Sequence, residues 1–294
     1  MKGIYSALLG VFDENGQPNI DGINAVVNHN IEHCKVDGLY VCGSTGENFL
    51  INTQSKKTIL KEAAEAAKGR CKLIAHVGSN IIEEVLELSK WAKEFGYHAI
   101  SAVTPYYYKF TPNEVKDYYR YIADNSRLPL IIYNIPILTG VSLSRYDFLE
   151  LLSHKNIIGI KYTSNDYYLL ERIRVECRDA YLYSGFDEIL LSAAVLGIDG
   201  AIGSTYNIIG HWAKGIIEAV NNNDLDRARD IQSKMNTVID KLIAAGLYQT
   251  IKEVLELYGV KCSGCRMPMS KTTNQHKEAA KDIYSYIESV DRMC

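Results

Sequence analysis

A lysine closes the short apolar run Gly159-Ile160-Lys161-Tyr162-Thr163. A buried strand end is a costly place for an ammonium group unless it is paired or neutral. Desolvation lowers a lysine pKa, and a neutral amine is a nucleophile that forms Schiff bases with carbonyl compounds. A strand-end lysine that snorkels to solvent or pairs with a carboxylate reads the same way, so the segment alone leaves both uses open. Tyr133 ends another apolar run, Leu130-Ile131-Ile132-Tyr133. It offers a phenol as proton donor or acceptor, or simply a core tyrosine with its hydroxyl at a rim. Gly43-Ser44-Thr45-Gly46-Glu47 is a tight turn whose N–H groups and hydroxyls suit a carboxylate, or an ordinary glycine-rich turn before a helix. Asp187 and Glu188 suit the hydroxyls of a polyol, or complement the dipole of the helix they open.

These residues need a scaffold that brings them together. Apolar runs of strand length alternate with amphipathic helical patterns: Ile4–Phe12, Gly38–Cys42, Lys72–Val77, His98–Val103, Leu130–Tyr133, Ile157–Thr163, Tyr181–Ser184 and Gly200–Ser204. Helix signals separate them. Ile23, Val26, Val27 and Ile31 share one face, Asn80 with Glu83 three on reads as a helix start, and Thr111-Pro112-Asn113-Glu114 is a capping box with proline at the first helical position. A further helix is expected from about Glu188 to Leu196. Continuous apolar strands between amphipathic helices imply a parallel sheet. Eight strand–helix pairs over residues 1–224 are the count and length of an α/β chain folded as a (β/α)8 TIM barrel, with a doubly wound open sheet as the alternative. Residues 225–294 read as helix only, a C-terminal extension of the same single domain spanning 1–294.

In such a barrel the working residues sit at the C-terminal strand ends and the loops after them. That rule gathers Ser44 and Thr45, Tyr107 in Thr104-Pro105-Tyr106-Tyr107-Tyr108, Tyr133, Lys161 and Thr163, Gly185-Phe186-Asp187-Glu188, and Ser204 at one mouth. Their convergence favours a functional Lys161.

Composition narrows the classes. A net charge of −3 favours neither nucleic acid nor an anionic membrane as partner, and no apolar run approaches bilayer length. The N-terminus enters a strand-like run without a signal-peptide pattern, and seven scattered cysteines suit reduced thiols, so a cytoplasmic protein is expected. His29 and His33 lie four apart on the first helix and lack an obvious third metal ligand. Cys262-Ser263-Gly264-Cys265 has no second pair at zinc spacing, leaving redox switching as its minor use.

Gly43-Ser44-Thr45-Gly46-Glu47, Tyr133-Asn134-Ile135-Pro136, Lys161 and Gly200-Ala201-Ile202-Gly203-Ser204-Thr205, in this order along essentially the whole chain, resemble the pyruvate-dependent class I aldolases of the dihydrodipicolinate synthase/N-acetylneuraminate lyase family. Lys161-Tyr162-Thr163-Ser164, Gly185-Phe186-Asp187-Glu188 and Gly203-Ser204-Thr205-Tyr206-Asn207 place the resemblance with its sialic-acid-cleaving branch, and Cys265-Arg266-Met267-Pro268 fits a further family motif. The synthase branch, which makes 4-hydroxy-tetrahydrodipicolinate, usually has an arginine where this chain has Leu138. The resemblance implies cleavage of N-acetylneuraminate to pyruvate and N-acetylmannosamine. Lys161 would form the Schiff base, Tyr133, Ser44 and Tyr107 would handle the proton, and Ser44 and Thr45 would hold the carboxylate. Thr163, Gly185, Asp187, Glu188 and Ser204 would contact the sugar part. It also implies a homotetramer in which Tyr107 reaches a neighbouring subunit's site, and chemistry needing no metal and no cofactor.

Overall fold

The computed structural model describes residues 1–292. Strands β1 (Gly3–Ala7), β2 (Gly38–Val41), β3 (Lys72–His76), β4 (Ala99–Val103), β5 (Leu130–Asn134), β6 (Ile157–Tyr162), β7 (Tyr181–Ser184) and β8 (Gly200–Gly203) pair in sequence order. All pairings are parallel, and β1 meets β8, so the sheet is a closed barrel rather than an open one. Helices lie between the strands: α1 (Ile20–Glu32), α2 (Thr53–Ala67), α3 (Ile82–Glu94), α4 (Pro112–Asn125), α5 (Pro136–Thr139), α6 (Arg145–Leu152), α7 (Tyr167–Glu176), α8 (Leu190–Val195) and α9 (Tyr206–Asn221). The extension is helical as expected, with α10 (Leu225–Ala245), α11 (Leu247–Leu257) and α12 (Asn274–Asp291). Residues 293–294 of the expected extension lie outside the described residues.

Alternation along each strand divides the core in two. Outward residues such as Leu39, Ile100, Ile132, Ile160 and Leu182 join the large apolar layer under the helices. Inward residues Tyr5, Tyr40, Ile74, Ala99, Ile131, Tyr183 and Ile202 fill the barrel. Near its floor the Tyr5 and Tyr183 hydroxyls both donate to the Met1 carbonyl, at 3.1 and 2.6 Å.

Register decides which face each chemical group takes. An irregularity at Leu130/Ile131 sets Ile131 against Gly159, which pairs Tyr133 with Lys161; on the other side Lys161 pairs with Tyr183 of β7. A slip of one residue would turn Lys161 outward into the helix layer. Gly159 is required here, because a Cβ would stand 2.2 Å from the Tyr181 carbonyl oxygen.

Most strand ends shift by one residue from the sequence reading, and three elements differ by more. β1 stops at Ala7, and only a bridge joins Phe12 to Pro18. Helix α3 starts at Ile82, because Asn80 spends its side chain on both backbone groups of Tyr106, at 3.1 Å each, rather than on a cap. The expected 188–196 helix is a 3-10 turn, Asp187–Ile189, followed by α8, since Asp187 is bonded across to Thr205.

The tightest constraint on closure is Gly200, where a Cβ would lie 1.9 Å from the Gly3 carbonyl oxygen. Backbone cannot yield as a side chain can, so Gly200→Ala is expected to cost about 2–3 kcal/mol. A thermal melt should show a drop of several degrees; an unchanged melt would mean that β1 and β8 are not this close.

Candidate active site

The paired strands β5 and β6 supply the centre of the site, with Tyr40 of β2 reaching it across the barrel. Lys161, near the end of β6, is 5% exposed. Its Nζ lies 4.1 Å from the centre of the Tyr133 ring and 4.5 Å from that of Tyr40. Aromatic faces attract a cation by about 0.5–2 kcal/mol, less than the several kcal/mol that removing an ammonium from water costs. Burial therefore wins, and the Lys161 pKa falls to about 7, with the nearby Asp187 carboxylate pulling the other way. A large fraction of the amine is neutral at pH 7.

Tyr133 is buried beside it, and burial raises the phenol above its ordinary value. The Ser44 and Thr163 hydroxyls favour the phenolate and oppose that rise. Thr163 Oγ1 is near enough for this electrostatic effect, yet forms no well-shaped hydrogen bond among the described residues. The phenol keeps its proton at neutral pH.

The turn after β2 is a 3-10 turn, Ser44–Gly46. The Gly46 and Glu47 N–H groups are used inside it, on the Gly43 and Ser44 carbonyls at 3.0 Å each. The N–H groups of Ser44 and Thr45 open the turn and have no acceptor within it. On its far side the Thr45 hydroxyl meets the Ser204 hydroxyl at 2.7 Å, joining the loops after β2 and β8.

Asp187 is buried, and its Oδ2 accepts from Thr205 twice, from the N–H at 2.9 Å and the hydroxyl at 2.7 Å. Burial raises its pKa to about 6 against those two bonds. Its Oδ1 makes no hydrogen bond among the described residues. Two glycines make room for this side of the site. A Cβ on Gly185 would stand 1.8 Å from Thr163 Oγ1, and one on Gly203 would stand 1.8 Å from Asp187 Oδ1.

A cavity of about 220 Å³ at the C-terminal end of the barrel brings together Ser44, Thr45, Tyr133, Lys161, Thr163, Gly185, Asp187, Glu188 and Ser204. Tyr107 is not among its lining residues: it is 86% exposed, with a left-handed backbone and its ring against Tyr108. Sequence reasoning missed Tyr248, Leu247, Ile239 and Ile243 of the extension, which line the same cavity. It also missed Tyr40 under Lys161 and His76, whose ring lies 5.9 Å from that of Tyr133. Tyr248 was signalled by Gly246, which breaks the long helical pattern and lets α11 start afresh over the mouth.

The motifs set aside for metals lie elsewhere. His29 on α1 and His33 at its C-terminal cap stack on each other at 4.8 Å beside Tyr258. Among the described residues no cluster of three or more His, Cys, Asp or Glu side chains is placed to hold a metal ion. Cys262 and Cys265 are free, and burial raises their thiols to about 12 and about 11.

The family profile described as "Dihydrodipicolinate synthetase family" matches residues 1–287. An N-acetylneuraminate lyase from Clostridium perfringens (strain SM101 / Type A) is 50% identical over 283 residues, covering 96% of this chain and 98% of the relative. The crystal structure of CdNal from Clostridium difficile in complex with mannosamine superposes with a TM-score of 0.95 at 49% identity, covering 97% of this chain and 98% of that one. The N-acetylneuraminate lyase of Fusobacterium nucleatum complexed with pyruvate gives a TM-score of 0.93 at 48% identity, covering 97% and 96%.

The neutral amine is the nucleophilic form, so attack by Lys161 on a keto acid should speed up as pH rises and reach half its limit near pH 7. Asp187→Asn removes the charge that holds the ammonium, and the half-point should move to lower pH. Rates of borohydride-trapped adduct formation across pH 5–10 read both; a half-point near the ordinary lysine value would refute the desolvated amine.

Proposed function

We propose, since the chain belongs to the dihydrodipicolinate synthetase family, that it is a carbon–carbon lyase acting as an N-acetylneuraminate lyase: it cleaves N-acetylneuraminate to pyruvate and N-acetylmannosamine. The observation that carries the mechanism is the buried Lys161 amine, displaced to about 7 within the same cavity as Tyr133 and Ser44. The Lys161 amine attacks the keto carbon of the open-chain sugar acid and water leaves, giving a protonated Schiff base. The opening hydroxyls and N–H groups of Ser44 and Thr45 hold the neighbouring carboxylate. The iminium draws electrons from the bond between C3 and C4, so that bond breaks as the C4 hydroxyl gives up its proton. Tyr133, whose phenol stays protonated at rest, relays that proton with Ser44 beside it. The resulting enamine is protonated at carbon, and water then releases pyruvate and restores the amine. The lysine supplies the electron sink, so the sequence of steps uses no metal and no cofactor.

Asp187, Glu188, Thr163, Gly185 and Ser204 form the half of the cavity that reads the hydroxyls of the sugar part. Asp187 Oδ1, with no bond of its own among the described residues, suits such a hydroxyl. Leu138, where the synthase branch usually has an arginine, supplies no charge for a second carboxylate. We further propose that the chain works in the cytoplasm as a homotetramer. Burial of Cys34, Cys42 and Cys71 as free thiols supports the first. Exposed Tyr107 and Tyr108 in the loop after β4, and Ile137 and Leu138 on α5 after β5, support the second, and Tyr107 would complete a neighbouring subunit's site.

Incubation with N-acetylneuraminate and borohydride should leave a reduced pyruvyl group on Lys161, mapped by peptide mass spectrometry. Lys161→Ala should leave none. An adduct from pyruvate but not from the sugar acid would keep the amine chemistry and discard the substrate. Tyr133→Phe should still trap the adduct while lowering kcat by about 100-fold or more.

A further inference from the structure

We propose that Lys252, far outside the barrel in sequence, is a positioning residue for the keto-acid carboxylate, acting through Glu47 and the Ser44–Thr45 turn. This rests on the reading of that turn given above. Glu47 follows the turn directly, closes it with its N–H on the Ser44 carbonyl at 3.0 Å, and holds a left-handed backbone with φ of 59°. Its carboxylate is wholly committed to the C-terminal extension. Lys252 Nζ of α11 donates to Oε1 at 2.6 Å, and the Arg266 N–H donates to Oε2 at 2.7 Å. Lys252 also donates to the Gly264 carbonyl at 3.2 Å. The two charged side chains are 1% and 0% exposed.

A buried ion pair is a poor source of stability, since desolvation consumes most of the attraction and an apolar pair of equal volume does as well. What it does supply is direction. Both carboxylate oxygens are fixed by donors on a different part of the chain, so the backbone of the turn cannot rotate without breaking one. The Arg266 side chain extends the clamp: Nε donates to the Leu50 carbonyl at 3.0 Å, beyond the turn, and the guanidinium donates to the Gly16 carbonyl. Tyr248, four residues before Lys252 on α11, lines the cavity that Ser44 and Thr45 share with Lys161. One helix thus covers the site and sets the turn that grips the carboxylate.

The amine chemistry does not pass through this clamp. Loosening it should weaken the hold on pyruvate and leave later steps nearly intact. Condensation of pyruvate with N-acetylmannosamine separates the two. Glu47→Asp keeps the charge pair but shortens the arm, and Glu47→Gln with Lys252→Met removes both charges without orphaning either. Each should raise KM for pyruvate about 10- to 100-fold while kcat changes little. The double variant should melt close to the wild type, and Lys252→Arg should recover most of the wild-type KM. A double variant with wild-type KM, or variants in which KM and kcat change only in step with a lowered melting temperature, would overturn the proposal. A wild-type chain that traps no pyruvate on Lys161 would instead sink the reading of the site itself, and this proposal with it.

Discussion

Taking one amine out of water is the constraint around which the barrel mouth is arranged. Lys161 can be desolvated because the sheet is closed and its interior filled to the level of Tyr40, leaving little water below the amine. The displacement from 10.5 to about 7 corresponds to roughly 5 kcal/mol against the ammonium. Only the folded barrel can sustain such an imbalance, and only if the register keeps β6 in phase with β5 and β7. One residue of slip would exchange the amine for Ile160 or Tyr162 at the same point.

Neighbouring groups are held neutral in ways that keep the amine from being rescued as a cation. Burial pushes His76 down to about 3, with the Lys56 and Lys161 charges acting in the same direction. The neutral ring bridges two loops: Nδ1 meets the Asn48 side chain at 2.9 Å, and Nε2 accepts the Val103 N–H at 3.2 Å. Asp187 is the counterweight: burial raises it to about 6, so it is still mostly ionised at neutral pH and pulls on the ammonium. Two ionisable groups thus approach neutrality from opposite sides, which leaves both usable near pH 7.

Much of this was legible because parallel barrels write themselves plainly. Strands buried on both faces appear as unbroken apolar runs, and the candidate site residues lie at their ends or just after, so Ser44, Tyr133, Lys161 and Asp187 stood out by position. What stayed hidden depends on contacts across long stretches of chain. Nothing local marks Lys252 as a partner of Glu47, since a lysine within an amphipathic helix usually faces water. Tyr40 and His76 read as ordinary strand residues, because the direction in which alternation points is fixed only by the closed sheet. Asn80 misled for a similar reason: its side chain satisfies the same hydrogen-bonding needs as a cap, but on Tyr106 rather than on its own helix.

The cavity's two halves are held by different means, and this bears on how such a site can change. The half around Ser44, Tyr133 and Lys161 depends on strand register and on a buried clamp reaching to α11, so its parts move together. The half around Asp187 depends on subtraction: Thr163 and Asp187 occupy space that side chains at Gly185 and Gly203 would take. A Cβ at either glycine would displace a polar group of the cavity, Thr163 or Asp187, without touching the amine. Leu138, 69% exposed at the rim, is freer still. Leu138 and Glu188 line the cavity without belonging to a barrel strand. On the reading proposed above, the keto-acid half is thus tied to the closed sheet, while the half that would receive the aldehyde is shaped by two glycines and the rim.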